Sequence, residues 1–438
     1  MGLFSLFSGK PAEPASTLLQ AANTGLKPAA PAAPPAVLCR EEVVDAKNRL
    51  CGYRFRLQAE DGQRIAAEAD YIQALVDEDI RSFAERRLAL VKLSPDAFVF
   101  NRHTPLLAPQ VGFEFDRREQ TWPASQLAAR LAAVRDAGAK AILYVATHSA
   151  EDAPAFQAAD IVVLNLARTA LPQFQTMLRS LRASYPKLQI AVEQVDSWDE
   201  QRMCVAWGAD YCLGAFLTQP DQLDEKGKID QGRLTSIELL NLLRADAELD
   251  ALTEVAKRDP GLSFQLLKWA NAPSNGQATT ITSLAQAIVV LGRAALYRWL
   301  TVSMFRLGKA HRERDESLLE VALTRARFLE TVAAETLSPA QRDEIFLVGL
   351  LSLFDILLGM PMPRILDKMH LSQEVRSVLL DSAGPYSPYL LLALRIERGL
   401  TGQAAEIASK LGLDTATLNA TSQAAFRWAQ ESLQQTLN

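Results

Sequence analysis

Between residues 50 and 195 the apolar positions gather in short, nearly continuous runs separated by stretches of helical period. RLALVKL (87–93), VGFEF (111–115), AKAILYV (139–145), ADIVVLNL (159–166) and KLQIAVEQV (187–195) are rich in Val, Ile, Leu and aromatics. Such runs lack the alternation of a strand with one wet face, and they suit parallel strands buried on both faces. Between them lie ASQLAARLAAVRDAG (124–138), LPQFQTMLRSLRASY (171–185) and SWDEQRMCVAWG (197–208). The first ends on Gly138, a residue suited to the position just past a helix end. Strand–helix alternation over this length predicts an α/β barrel or a doubly wound sheet. LCGYRFRLQ (50–58) is also strand-like, and its period of two sends Arg54 and Arg56 to one face.

The pattern changes on either side. Residues 1–36, rich in Pro and Ala, have little to bury and read as a disordered or semi-rigid tail, with Leu3, Phe4, Leu6 and Phe7 as a short docking segment at most. Residues 37–220 hold the α/β part, and the polar stretch 221–234, around Gly227 and Gly232, reads as a linker. From 235 to 438 strand signals fade and helix starts become explicit. Thr235–Ser236–Ile237–Glu238 fits a capping box ahead of LLNLL, as do Ser283 with Gln286 and Ser338 with Gln341. Asp259–Pro260 sets an N-cap before a proline suited to the first helical position. This region is expected to be all-α.

Composition narrows the function. The chain has 438 residues, 49% hydrophobic and 22% charged, the profile of a soluble globular protein of two or three domains. A net charge of −5 argues against a general nucleic-acid surface. No uninterrupted apolar run is long enough to span a bilayer, and the N-terminus is a poor signal peptide, so the expected location is the cytoplasm, with no membrane insertion. Cys39, Cys51, Cys204 and Cys212 form no CxxC pair and read as reduced thiols. His103, His148, His311 and His370 are scattered and form no HxxH, HExxH or His–Asp pair, and no phosphate-binding loop or nucleophile elbow is present.

Longer stretches carry a resemblance. Residues 39–220, including GADYCLGAFLTQP (208–220), resemble the EAL-type cyclic di-GMP phosphodiesterase domain. Residues 235 to about 400 resemble the HDOD domain, through RDPGLSFQLLKWANA (258–272), ITSLAQAIVVLGRAALYRWL (281–300), VALTRARFLE (321–330) and FLVGLLSLFDILLGMPM (346–362). The order resembles the bacterial EAL–HDOD signalling family. The resemblance implies a degenerate EAL-type (β/α) barrel followed by an all-helical HDOD domain.

Working EAL domains hold divalent metal ions with carboxylates and an asparagine, and a lysine assists the hydrolytic water. Hard cations need such oxygen ligands at short range. On this chain the resemblance places the name-giving motif at Arg54-Phe55-Arg56, so a cation replaces a glutamate ligand. The asparagine of the next strand falls at Lys92, with Asn101 as a less well-spaced alternative. Glu114 keeps its acid, the paired aspartates fall at Tyr144 and Val145, and the lysine falls at Val163, followed by Asn165. Glu193 persists, the next acid is Asp196, and the expected glutamine is Leu213. In the helical part Ser352, Leu353 and Phe354 stand near the place of a His–Asp pair, with Asp355 beside them.

Two consequences are expected. Arg54 and Lys92 take the place of metal beside Glu114, Glu193 and Asp196, sparing buried carboxylates from being left unpaired; the bland alternative is that these side chains reach solvent. With several ligands and the lysine gone, the barrel is a pseudoenzyme without cofactors. The expected function is a non-catalytic signalling adaptor whose helical domain binds another signalling protein. The alternative is a metal-free receptor for cyclic di-GMP or another nucleotide using Arg54, Arg56 and Lys92. Residual phosphodiesterase activity is the remote third reading.

Overall fold

The computed structural model describes residues 36–437 apart from 60–67, 95–96, 99, 120–121, 148, 224–227, 273–279 and 307–311. Residues 1–35 of the expected tail, His148 and His311 lie outside them.

Eight strands close into a barrel in chain order: β1 (Ala36–Asp45), β2 (Leu50–Ala59), β3 (Leu88–Lys92), β4 (Val111–Asp116), β5 (Lys140–Val145), β6 (Ile161–Asn165), β7 (Gln189–Glu193) and β8 (Tyr211–Leu213). From β2 to β8 neighbours run parallel, whereas β1 is antiparallel to both β2 and β8. The closed barrel settles the choice between barrel and open sheet. Two strands escape the reading of apolar runs. The CREE stretch in β1 interrupts its apolar pattern, and β8 is only three residues long.

The continuous runs are explained by two-sided burial. Leu88, Leu90, Ile142, Tyr144, Ile161, Val163, Ala191, Val43 and Leu213 fill the barrel interior. Their neighbours Val91, Phe113, Leu143, Val162 and Ile190 belong to the larger outer core. Around them run α1 (Glu68–Asp77), α2 (Ile80–Phe83), α3 (Ala124–Asp136), α4 (Ala153–Ala158), α5 (Leu171–Ser184) and α6 (Trp198–Trp207). Ser197 and Glu200 close a capping box on α6, and Gly138 takes a positive φ just beyond α3.

The helical part comprises α7 (Gln231–Arg244), α8 (Leu249–Lys257), α9 (Pro260–Ala270), α10 (Leu284–Leu291), α11 (Arg293–Ser303), α12 (Arg312–Val332), α13 (Pro339–Leu351), α14 (Phe354–Leu358), α15 (Met362–Leu366), α16 (Gln373–Asp381), α17 (Ser387–Glu397), α18 (Thr401–Lys410) and α19 (Thr415–Leu437). Asp259, Ser283 and Ser338 cap α9, α10 and α13 as expected. The capping box at Thr235 is corrected. Helix α7 starts five residues earlier, where Asp230 accepts from the Arg233 amide, inside the stretch read as linker. Thr235 and Ser236 sit within the helix, and their hydroxyls donate back to Gln231 and Gly232 carbonyls. The polar QGR turn stays helical because Arg233 is buried, donating to the Met304 carbonyl and to Asp315. Among the described residues no helix is long and apolar enough to cross a membrane.

The β1–β2 hairpin has no helix between its strands, and the barrel covers its outer face only in part, through Tyr71 and Phe83 against Phe55. Helices α12, α17 and α19 of the helical part cover it. Tyr53 packs edge-on to Phe426 with ring centres 5.1 Å apart. Its hydroxyl donates to Glu320 at 2.7 Å, and Arg87 and Gln430 donate to the same carboxylate. The Leu50 amide donates to Ser317 and the Leu38 amide to Asn419. The two parts therefore share one core.

Gly349 marks the closest helix contact, because an added Cβ would lie 2.4 Å from the Ala326 Cα on α12. Gly349→Ala gains about 1 kcal/mol of helix propensity but meets backbone that cannot yield, and overpacking of this kind costs about 1–3 kcal/mol. We expect a net loss of stability on the order of 1 kcal/mol or more in urea unfolding.

Candidate functional site at the barrel mouth

Parallel strands send their C-terminal ends to one face of a barrel, and in such barrels this face carries the chemistry. Here the alternate positions that fill the interior end in polar residues: Arg54 on β2, Lys92 on β3, Glu114 and Asp116 on β4, Asn165 on β6 and Glu193 on β7. Below them Val163 and Leu213 are part of the apolar interior.

Arg54 stands at the centre with only 5% of its side chain exposed. One terminal nitrogen donates to both Glu114 oxygens, at 2.7 and 2.6 Å, and the other donates to Glu193. Glu193 also accepts from the Tyr144 hydroxyl at 2.7 Å and from the Asn165 amide at 2.6 Å. Arg56, on the same face of β2, reaches Glu41 at 3.2 Å and Glu193 at 3.4 Å, but is 42% exposed. Glu41 lies directly across the hairpin from Arg54.

The electrostatics follow from the pairing. Burial works to raise the Glu193 pKa, yet the charge and hydrogen bond of Arg54, with those of Tyr144 and Asn165, hold it below the ordinary carboxylate value. Burial works to lower the Arg54 pKa, but Glu114, Glu41 and Glu193 drive it upward. Burial and the bond to Glu193 push the Tyr144 phenol up to about 12.

Two expected members lie elsewhere. Lys92 does not join Glu114. Its ammonium donates to Asp116 and Glu119, each at 2.8 Å, although the strand register sets Lys92 beside Glu114. Arg118 completes this second group, with bonds of 2.9 and 2.6 Å to Asp116 and its guanidinium 4.5 Å from the Tyr144 ring centre. Asp196 is exposed beyond the end of β7, where the chain turns at Gln194 with a φ of 60°, and it accepts from the Ala215 amide. Val145 faces the outer core while Tyr144 faces inward. Asn101 is an exposed loop residue.

In the helical part, Ser352 donates to the Gly349 carbonyl and accepts from Arg325, both at 2.7 Å. Leu353 and Phe354 are buried, the latter edge-on to Phe305. Asp355 accepts from the Ile356 amide, and burial raises its pKa. His103 packs against Phe98 and Phe113, while His370 is bound to Asn241 through its backbone amide. Glu41, Asp116, Arg118 and Glu119 were not singled out from sequence. Asp116 shares the inward period of Glu114, and Glu41 emerges only once β1 is known to pair with β2.

The metal ions implied by the EAL resemblance do not fit these residues. A guanidinium fills the space between Glu114 and Glu193, and among the described residues no group of three or more His, Cys, Asp or Glu is placed to hold an ion.

A family model described as the HDOD domain matches residues 236–376. This stretch is an HDOD domain. Of the helices that cover the barrel, α12 lies within the matched residues, whereas α17 and α19 lie beyond them. Two curated relatives are similar to the chain. The uncharacterized protein YuxH of Bacillus subtilis is 27% identical over 260 residues, covering 59% of this chain and 62% of YuxH. The cyclic di-GMP phosphodiesterase CdgJ of Vibrio cholerae is 23% identical over 272 residues, covering 62% of each. The matches thus span less than two thirds of either relative. Among solved structures, an EAL domain protein from Listeria monocytogenes aligns at 16% identity and a TM-score of 0.31, covering 42% of this chain and 87% of its own. The chain thus joins a closed eight-stranded barrel, read from its strand pairing, to an HDOD domain.

Arg54→Met leaves two buried glutamates without their cation, and breaking a buried pair in this way costs about 3–5 kcal/mol. The wild-type contribution of Glu193, whose folded pKa is depressed, is complete above its unfolded value and is lost as pH falls through the folded one. In the variant the same burial favours protonation. The stability difference between the two proteins, measured by urea unfolding, is therefore expected to be largest at neutral pH and to shrink in acid.

Asp116 offers a local check. Burial opposes ionisation there, but Arg118 and Lys92 hold its pKa down to about 2. Its contribution is present above the ordinary aspartate value of 3.8 and disappears as pH falls toward about 2. Lys92→Met is expected to move the titration of Asp116, followed by NMR, upward.

Proposed function

We propose that this protein is a non-catalytic bacterial signalling adaptor that works in the cytoplasm, with a barrel that has lost phosphodiesterase chemistry and an HDOD domain that engages another signalling protein. The observation that carries this reading is the position of Arg54 between Glu114 and Glu193. A cation held by hydrogen bonds to both acids occupies the ground on which two oxygen ligands would share a divalent ion. Val163 in the barrel interior offers no ammonium for activating water, and Leu213 offers no amide.

The same pairs argue against a phosphate receptor. Arg54 and Lys92 each already bind two protein carboxylates, so an incoming phosphate has to compete with anions held in place. A second reading, receptor or residual phosphodiesterase for cyclic di-GMP, is favoured by two observations. Arg56 remains 42% exposed at the mouth, and CdgJ carries that activity in its name.

Thermal unfolding with and without cyclic di-GMP, each in Mg²⁺ and in EDTA, separates these readings. A ligand specific to the native state stabilises by about 2.7 kcal/mol at a hundredfold excess over Kd. The adaptor reading expects no shift in any of the four conditions and no linear product. A shift that survives EDTA and is lost in Arg56→Glu establishes the receptor instead. Mg²⁺-dependent product that disappears in Glu114→Ala restores the enzyme.

A further inference from the structure

Where the outer face of β1–β2 meets α12, α17 and α19, the two domains leave a cavity of about 60 Å³. Val321, Phe328, Ile396 and Phe426 give it an apolar wall. Its charged groups are almost all paired. Arg40 binds Glu78 at 3.0 Å, and Arg325 clasps Glu397 with two bonds of 2.8 and 2.6 Å.

Glu42 is the exception. It projects from β1 into this cavity, and apart from its own backbone amide no described donor bonds to its carboxyl. The groups around it are unhelpful on balance. Burial disfavours its charge first, the like charges of Glu397 and Glu41 add to this, and the backbone amide and Arg325 only partly offset them. Its pKa rises to about 8. With both arginines already matched to acids, an ionised Glu42 is one negative charge in excess. Glu42 itself is half-buried, and a charge drawn partly out of water in this way gains from a cationic partner that donates hydrogen bonds.

The complement is a single positive charge that donates hydrogen bonds and carries a small apolar body. A cavity of this volume admits only a few heavy atoms, since one ordered water already takes roughly 10–15 Å³. We propose that the cavity binds a primary ammonium group on a short aliphatic chain, its head on Glu42 and its chain against Val321, Phe328 and Ile396. The ligand then touches β1 of the barrel and α12 and α17 of the HDOD side, so its occupancy strengthens the contact between the domains. This inference does not depend on whether the barrel is catalytic.

Titration calorimetry and thermal unfolding of the full chain with ethylammonium and propylammonium chloride, against equal sodium chloride and 1-propanol, test it. We expect a saturable rise in Tm with the amines alone. Below the Glu42 pKa of about 8, binding should release a proton, read from the buffer dependence of the heat. Glu42→Gln, which mimics the protonated acid in shape, is expected to fold and to weaken binding by about tenfold or more. Ala393→Leu, which fills the cavity and leaves the acid in place, is expected to abolish the shift. The absence of a saturable shift overturns the proposal, as does an equal response from propanol or an unchanged affinity in Glu42→Gln.

Discussion

Two glutamates inside a protein barrel cannot both stay ionised without a nearby cation. Desolvation of each carboxylate costs several kcal/mol, and their mutual repulsion adds to it. In this barrel Glu114 and Glu193 meet at the mouth, and Arg54 supplies the charge from the opposite wall. A guanidinium suits the task because its planar fork serves both acids at once, which a lysine ammonium on its flexible stem does less well. Tyr144 and Asn165 then complete the coordination of Glu193 by hydrogen bonds. The upper layer of the barrel is thus a closed polar network resting on an apolar layer that includes Val163 and Leu213.

A second dependence joins the domains. A barrel that opens with an antiparallel hairpin has one stretch of wall that its own helices cover only in part. Tyr53 on that wall needs both an apolar neighbour and a partner for its hydroxyl, and Phe426 and Glu320 of the helical part provide them. Arg87 and Gln430 close the group around Glu320. An interface made of shared core and a satisfied buried acid is unlike the polar, separable contacts of loosely tethered domains. The linker's composition alone gave no hint of this.

Both halves show the same physical outcome. At the barrel mouth an arginine occupies the space between acids. In the HDOD domain Arg325 binds Ser352, and Leu353 and Phe354 are core. At both places the charged groups are matched by partners within the protein.

Local pattern was enough for an α/β part followed by an all-α part, because two-sided burial writes continuous apolar runs and helix caps have a local chemical signature; closure into a barrel rests on strand pairing. The sequence by itself also placed Arg54, Glu114 and Glu193 at the mouth, since the resemblance carries a register that the period of two preserves. Tertiary structure alone decided the rest. Lys92 pairs with Asp116 and Glu119 rather than Glu114, and Asp196 falls outside the network, because side chains at strand ends choose partners by the local rise of the barrel and the turn of the loop. The strand β1, hidden by its CREE stretch, shows itself only through its neighbours β2 and β8. Helix α7 begins at Gln231 because Arg233 has a buried acceptor more than seventy residues away. Local pattern fixes elements; long-range pairing of charges fixes the site, and no window along the chain contains both partners.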